Sequence, residues 1–243
     1  MNNYIKTIQA DHVKVKEYYL KSVALKTEQQ KFLETLIKNN NCKPLTVIDV
    51  SCGGGGTCFH LSKFLDSKTQ YTLIDLNPDA IEIAKNTTKG MNAQCIVSDL
   101  FTQEEKYGKF DLVLCMQTLM VLDNPFDVIE EMLNLCSPSG RVIISSLFNE
   151  NHDVNITSSI EDLSRPSSLN KLKYEYKTYA IGPIIQKFEE KVKGINYYPF
   201  SVDIEIPSQG RGIGTFTQKL SNGKYIEISG GVLMNWGFLE FIK

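Results

Sequence analysis

Between Leu45 and Phe148 the chain alternates two kinds of segment. "LTVIDV", "YTLID", "QCIVSD", "FDLVLCM" and "GRVIISSLF" are short, apolar and β-branched, whereas "TCFHLSKFL", "PDAIEIAKNT" and "PFDVIEEMLNLC" carry apolar residues at helical spacing. Strands apolar at almost every position suit a sheet covered on both faces, and helices between successive strands demand crossover connections with parallel pairing. The pattern predicts an α/β protein with a doubly wound, mostly parallel sheet. Local punctuation agrees. Asn77-Pro78 caps the second of these helices with proline at its first position, and Ser139-Gly140 is expected to stop the helix before the last strand.

The flanks have a different rhythm. Upstream, "VKVKEYYLKSVALKTEQQKFLETLIKNN" lacks glycine and proline and reads as two amphipathic helices ending near "NNNCKP". Downstream come the polar stretch "NENHDVNITSSIEDLSRPSSLNK", a helix in "GPIIQKFEEKVKG", and mostly strand-like sequence. There "TFTQKLSNGKYIEIS" is expected to form a hairpin through a type I′ turn at Asn222-Gly223. With 243 residues, 42% of them hydrophobic, one substantial core is expected. It divides into a helical cap over 1–42, a central unit over 45–148 and a segment of helix and antiparallel strands over 149–243.

Charge and cysteine usage exclude some function classes. There are 26 basic against 28 acidic residues and no basic block, so a dedicated nucleic-acid binder is not indicated. The six cysteines show no C-x-x-C spacing and only three histidines accompany them, which argues against structural zinc and a disulfide scaffold. Cys95 and Cys115 lie in apolar runs and read as small core residues. "MNNYIKTIQADHVKVKEYYL" has no apolar signal region and no membrane-length apolar run follows, so a cytoplasmic location without membrane attachment is expected.

The stretch "VIDVSCGGGGTCFHL" places an acid and a glycine loop between a strand and a helix. Such a loop offers backbone N–H groups and a positive helix end without Cβ obstruction. A phosphate loop would need lysine after Gly56, and none is there. A dinucleotide fingerprint would put Cys58 at its third glycine and Asp49 near a pyrophosphate, where charge opposes it. "DVSCGGG", with acids ending the next two strands, instead resembles the D-x-G-x-G-x-G loop of class I S-adenosylmethionine-dependent methyltransferases, with Ser51 in place of the first glycine.

The resemblance continues over residues 45 to 148. It implies a Rossmann-like, seven-stranded fold, and S-adenosyl-L-methionine as cofactor. The loop residues Asp49, Ser51, Cys52, Gly53 and Gly55 would face that cofactor. In "YTLIDLNPDAIEIA", Asp75 would accept from the ribose hydroxyls and Leu76 would lie against adenine. In "CIVSDLF", Asp99 would take the adenine amino group and Leu100 would cover the ring. In "FDLVLCMQTLMVL", Met116 and Gln117 would face the methyl group and the acceptor. If "INYYPFSVDIEI" and "NWGFLEFI" are the family's antiparallel end strands, the hairpin between them is an addition.

A methyl transfer needs alignment of the acceptor more than any single catalytic residue. The chain lacks the N/D-P-P-Y/F stretch and the Pro-Cys nucleophile of nucleic-acid methylating enzymes. These absences speak against a nucleic-acid acceptor, and the last third, through "YPFSVDIEIP", "GTFTQKL" and "SGGVLMNW", faintly resembles methyltransferases acting on sugars or other small metabolites. The resemblance implies a small-molecule acceptor, methylated at an oxygen of a sugar, nucleotide-sugar or carboxylate. A tRNA or protein methyltransferase, and a regulatory module that binds cofactor without turnover, are the rival readings. His152 is the candidate general base, with Asp153 beside it and Glu150 as alternative; a solvated loop histidine is the plainer reading. His12, near a lid that could close over the cofactor, is a further candidate, and His60 reads as structural or surface. Tyr18 and Tyr19 on that lid, and Arg211 in "SQGRGIG", are candidate acceptor contacts, Arg211 because its planar fork would grip an anion. A homodimer is also open.

Overall fold

The computed structural model describes residues 12–102, 107–162, 172–208, 210 and 214–243. Two N-terminal helices, α1 (His12–Ala24) and α2 (Glu28–Asn39), break at Thr27. The Thr27 hydroxyl accepts from the Gln30 amide and the Gln30 side chain accepts from the Thr27 amide, so two orphan donors at the start of α2 are satisfied reciprocally. The central unit then alternates as expected: β1 (Thr46–Val50), α3 (Gly56–Leu61), β2 (Gln70–Asp75), α4 (Pro78–Thr87), β3 (Ala93–Val97), β4 (Phe110–Met116), α5 (Pro125–Leu135) and β5 (Cys136–Asn149). The Asn77 cap is present, its side chain accepting from the Asp79 amide.

Beyond β5 lie β6 (Ile156–Asp162), β7 (Leu172–Ala180), α6 (Ile181–Phe188), β8 (Gly194–Pro199), β9 (Thr215–Lys219), β10 (Tyr225–Ser229), β11 (Val232–Met234) and β12 (Trp236–Ile242). The main sheet runs β3-β2-β1-β4-β5-β12-β8, with β1 to β5 parallel and β12 antiparallel to both neighbours. The end strands are thus the two expected ones. The insertion between them folds as a separate three-stranded sheet, β11-β10-β9.

Three expectations are corrected. The polar stretch after β5 holds a β6–β7 hairpin whose second strand pairs with the end of β5, giving nine strands in the main sheet. The helix α5 ends at Leu135, ahead of Ser139-Gly140, and Cys136 already pairs with Phe110. Gly140 is glycine for close packing: a Cβ there would meet Asp111 O at 2.9 Å. The β9–β10 turn is not type I′. Leu220 N donates to Lys224 O and Gly223 alone has positive φ, while the Asn222 side chain accepts from the Lys224 amide, so the loop is the three-residue kind with glycine in the left-handed position.

Strand alternation sorts the core onto two faces. Ile48, Val50, Val113, Cys115, Val142 and Ile144 pack with α5 and α6, while Val47, Leu73, Leu112, Leu114 and Ile143 pack with α2, α3 and α4. Cys115 is fully buried, and Cys95 lies partly covered beside the second cluster. A third cluster joins Met120, Val121 and Leu147 to Val232, Met234 and Trp236, seating the small sheet over the carboxyl end of the main one. Among the described residues no helix is long and apolar enough to cross a membrane.

Glu240 in β12 is fully buried, and its cost is offset by four donors. Arg141 Nη1 and Asn40 Nδ2 donate to Oε1 at 2.5 and 3.0 Å, and Asn196 Nδ2 and Tyr198 OH donate to Oε2 at 3.0 and 2.9 Å. Asn40 ends α2 and Asn196 lies in β8, so the carboxylate ties the cap helix, β5 and both end strands together. Arg141→Ala leaves that carboxylate without its cation and should destabilise the fold by about 3–5 kcal/mol in chemical denaturation.

Candidate active site

The strand order reverses between β1 and β4: β1 leads outward to β2 and β3, β4 to β5. The crevice at the carboxyl ends of these two strands is where open α/β sheets bind ligands. The residue after each strand is strained there. Ser51 follows β1 with φ 58° and Gln117 follows β4 with φ 60°, both in the left-handed region that side chains avoid. Ser51 stands where glycine was expected, and the φ it must adopt supplies the reason for that preference. The Gln117 amide donates to Ser145 O at 2.8 Å, holding the turn in place.

The glycine run serves two masters. Gly53 and Gly55 have φ 52° and 77°, and Gly55 is the left-handed N-cap of α3. Gly54 and Gly56 answer to helix α1 instead: a Cβ on Gly54 would lie 2.8 Å from Tyr19 Cβ and one on Gly56 would lie 3.0 Å from Ser22 O. Tyr19 also covers Gly53, its ring edge 2.7 Å from where a Cβ would stand. His60 reaches from α3 to the same helix, Nε2 at 3.0 Å from Ser22 O. A carbonyl can only accept, so Nε2 carries the proton. Burial lowers the His60 pKa and keeps the ring neutral. His60 is thus structural, as its sequence position suggested; His12 lies in α1.

The acids at the strand ends are desolvated. Asp49 is almost wholly buried, its Oδ1 has no hydrogen-bond partner among the described residues, and a Cys58 thiol 3.9 Å from Oδ2 is its one recorded donor. Burial, and then the charge of Asp75, push its pKa up to about 8. Asp75 Oδ2 accepts from Gly53 N at 2.9 Å and Oδ1 from Asn77 N at 2.8 Å. Burial raises its pKa against the pull of these amides. Asp99 Oδ1 accepts from the Phe101 amide at 3.0 Å. Beside these acids Leu76, Val97 and Phe101 are exposed, while Leu100 packs partly into the core under α5. Phe101 was missed by the sequence reading, although the pattern "DLF" contains it.

The structure brings three candidates together across the crevice. Tyr18 OH donates to Gln117 Oε1 at 2.9 Å, and the Tyr18 and Tyr19 rings lie 6.1 Å apart. Much of the Tyr18 side chain is open to solvent, yet desolvation, then the charges of Glu227 and Tyr176, raise its pKa. Glu227 in β10 and Tyr176 in β7 therefore belong to the same neighbourhood, and neither was singled out from sequence. Their signal was period-two alternation in "LKYEYKTYA" and "KYIEIS", which marks strands and not their placement. Met116 is partly buried beside the α2–α4 face. His152 is exposed in the bend after β5, with no recorded side-chain contact to Tyr18 or Gln117, and Asp153 faces Gly182 at the start of α6. Cys52 is buried in the loop. Arg211 lies outside the described residues.

Comparison with known proteins decides the family. A family model described as "Methyltransferase domain" matches residues 42–192. The chain belongs to this methyltransferase family. Norajmaline N-methyltransferase of Rauvolfia serpentina is 30% identical over 117 residues, 45% of this chain and 38% of the relative. The ubiquinone biosynthesis O-methyltransferase of Xanthomonas axonopodis pv. citri is 31% identical over 106 residues, 42% of each. The chain thus covers about two fifths of the length of these relatives. Among solved structures, the plantazolicin methyltransferase BpumL in complex with SAH aligns over 96% of this chain and 91% of its own with TM-score 0.55 and 15% identity. TehB from Haemophilus influenzae aligns over 86% and 61% with TM-score 0.53 and 15% identity. At these identities the likeness is one of fold.

The residues of this crevice fit a cationic, ribose-bearing cofactor. Two desolvated carboxylates and an orphaned Asp49 oxygen suit a positively charged ligand, the left-handed glycines leave backbone open to it, and both Asp75 oxygens keep lone-pair capacity for hydroxyl donors.

Two outcomes follow from the strain and burial. Asp49 has its folded pKa raised above the unfolded value, so its contribution to stability is full below about pH 4, declines at about 1.4 kcal/mol per unit as pH rises, and is flat above about pH 8. Asp49→Asn should raise the melting temperature of the free protein at pH 7 and remove this slope, as thermal melts across pH would show. Ser51→Gly relieves the left-handed φ and should stabilise the fold by about 1 kcal/mol in denaturant titration.

Proposed function

We propose that this chain transfers a methyl group from S-adenosylmethionine to a small-molecule acceptor. The observation that carries the reading is the switch-point crevice, where the strained glycine loop, the orphaned Asp49 and the Asp75 carboxylate converge in a chain of the methyltransferase family. When bound, the cofactor supplies an electrophilic methyl on a sulfonium. Asp75 would accept from the ribose hydroxyls, Leu76 and Phe101 would flank the adenine with Asp99 at its edge, and Asp49 would lie toward the cationic amino-acid end. Gln117 and Tyr18, already joined by a hydrogen bond, would border the acceptor. The lid helix α1 and the small sheet would exclude water and fix the line of attack, the two things a displacement at a methyl group needs most.

The named relatives carry small-molecule acceptors in their names at both nitrogen and oxygen, which supports a small acceptor over tRNA or protein. The anionic part of the finer reading from sequence, a nucleotide-sugar or carboxylate, leans on Arg211, which lies outside the described residues.

Two measurements test the proposal. Asp75→Ala should weaken S-adenosylmethionine binding by about 10- to 150-fold in calorimetric titration, the equivalent of about 1.5–3 kcal/mol for hydrogen bonds to a charged group. Incubating the protein with a metabolite extract and isotope-labelled cofactor should yield a labelled small molecule heavier by one methyl. Label confined to RNA or protein would overturn the small-molecule reading, and unchanged affinity in folded Asp75→Ala would overturn the role of that carboxylate.

A further inference from the structure

We infer that the acceptor is an amine with an apolar or aromatic body that binds as its ammonium ion, and that Glu227 holds the cationic nitrogen and would take one proton from it, freeing the lone pair that forms the N–CH3 bond as the methyl–sulfur bond of the cofactor breaks and S-adenosylhomocysteine leaves. This rests on the methyltransferase reading above and names the acceptor class of the same site. Glu227 is the middle residue of β10, the central strand of the small sheet, and pairs directly with Met234 of β11 and Thr217 of β9. Directly opposed residues project from the same face. Met234 and Val232 are buried in the cluster with Met120, Val121, Leu147 and Trp236, while Leu233 between them is exposed. Glu227 therefore springs from the inner face of the small sheet, the face turned toward the carboxyl ends of β4 and β5.

A carboxylate on such a face needs a partner. Trp236 Nε1 donates to Oε2 at 3.3 Å, a long bond, and no other hydrogen bond or ion pair to Glu227 is recorded among the described residues. Burial raises its pKa, with only the indole pulling the other way. A half-buried carboxylate without a cation is unfavourable in the free protein, and a ligand that brings the cation removes the penalty. The surroundings suit an organic ammonium in particular. Tyr18 and Tyr176 are near enough for mutual electrostatic influence, Trp236 is in contact, and aromatic faces attract such cations. Aliphatic Met120 and Val121 supply the apolar wall. An anionic acceptor would meet the Glu227 carboxylate instead.

The test uses the full chain with S-adenosylhomocysteine present and two matched probe series of amine, neutral alcohol and carboxylate: phenethylamine, phenethyl alcohol and hydrocinnamate, then tryptamine, tryptophol and indolepropionate. Affinities are read by ligand-observed NMR titration in wild type and Glu227→Gln, which keeps an acceptor for Trp236. In at least one series the amine should bind about tenfold or more tighter than the alcohol, with the carboxylate weakest. Glu227→Gln should bring the amine down to the level of the alcohol and leave the alcohol unchanged. Its melting temperature should equal or exceed that of wild type, because a desolvated charge is gone; a carboxylate serving only the fold would give a lower one. Binding of no amine, preference for the carboxylates, or amine affinity unchanged in Glu227→Gln would overturn the inference. Calorimetric titration of S-adenosylhomocysteine on the same samples separates the two readings: cofactor binding without amine preference sinks this inference alone, and absence of cofactor binding sinks the methyltransferase reading beneath it.

Discussion

The Gly53 amide donates to the Asp75 carboxylate, and this hydrogen bond, beside the one from Cys52 N to Ile74 O, joins the loop leaving β1 to the end of β2. The loop it pins is expensive: Ser51, Gly53 and Gly55 all have positive φ within five residues. A chain left to itself would relax such a turn, and α3 would then start elsewhere. Pinned, the turn directs the first residues of α3 toward the crevice and presents a surface without Cβ atoms at Gly54 and Gly56, against which α1 packs. The parallel ladder between β1 and β2 supplies the rigidity that makes the pin effective.

Helix α1 lies over the glycine loop. Its contacts among the described residues include the Tyr19 ring over the glycines, the Ser22 carbonyl to His60, and the Tyr18 hydroxyl to Gln117, and Tyr18 and Leu20 are exposed. Helix α2 is held differently, with Leu33, Leu36 and Ile37 in the core and Gln29 bonded to Ser145 of β5. The break at Thr27 thus divides the helix that packs in the core from the one that crosses the glycine loop.

The buried acids of this protein fall into two classes. Glu240 accepts four hydrogen bonds, one from an arginine, and every lone pair it could waste is engaged. Asp49 has one weak thiol donor and an orphaned oxygen, and Glu227 one long indole bond. Carboxylates of the first class knit the fold. Those of the second are carried at a loss of stability that a cationic ligand would recover, which is the usual compromise at a binding site.

The sequence by itself determined the strands of the central unit, the cap at Asn77, and the acids at strand ends, because each is set by neighbours within a few residues: apolar runs, an amide cap, proline at the first turn. It also marked the glycine loop, whose need for positive φ is local. Apart from the β9–β10 turn, what it left open was settled at long range. The β6–β7 hairpin finds its place by pairing with the end of β5 and by the contacts of Lys177 and Tyr179 with the segment after β4. The β9–β10 turn was decided by an Asx contact from Asn222 that the dipeptide does not specify. Tyr18 meets Gln117 across 99 positions of sequence, and Glu227 reaches the same crevice because a separate small sheet docks its inner face there. Local propensity chooses the elements; only tertiary packing, which pairs surfaces far apart along the chain, decides which side chains share a site.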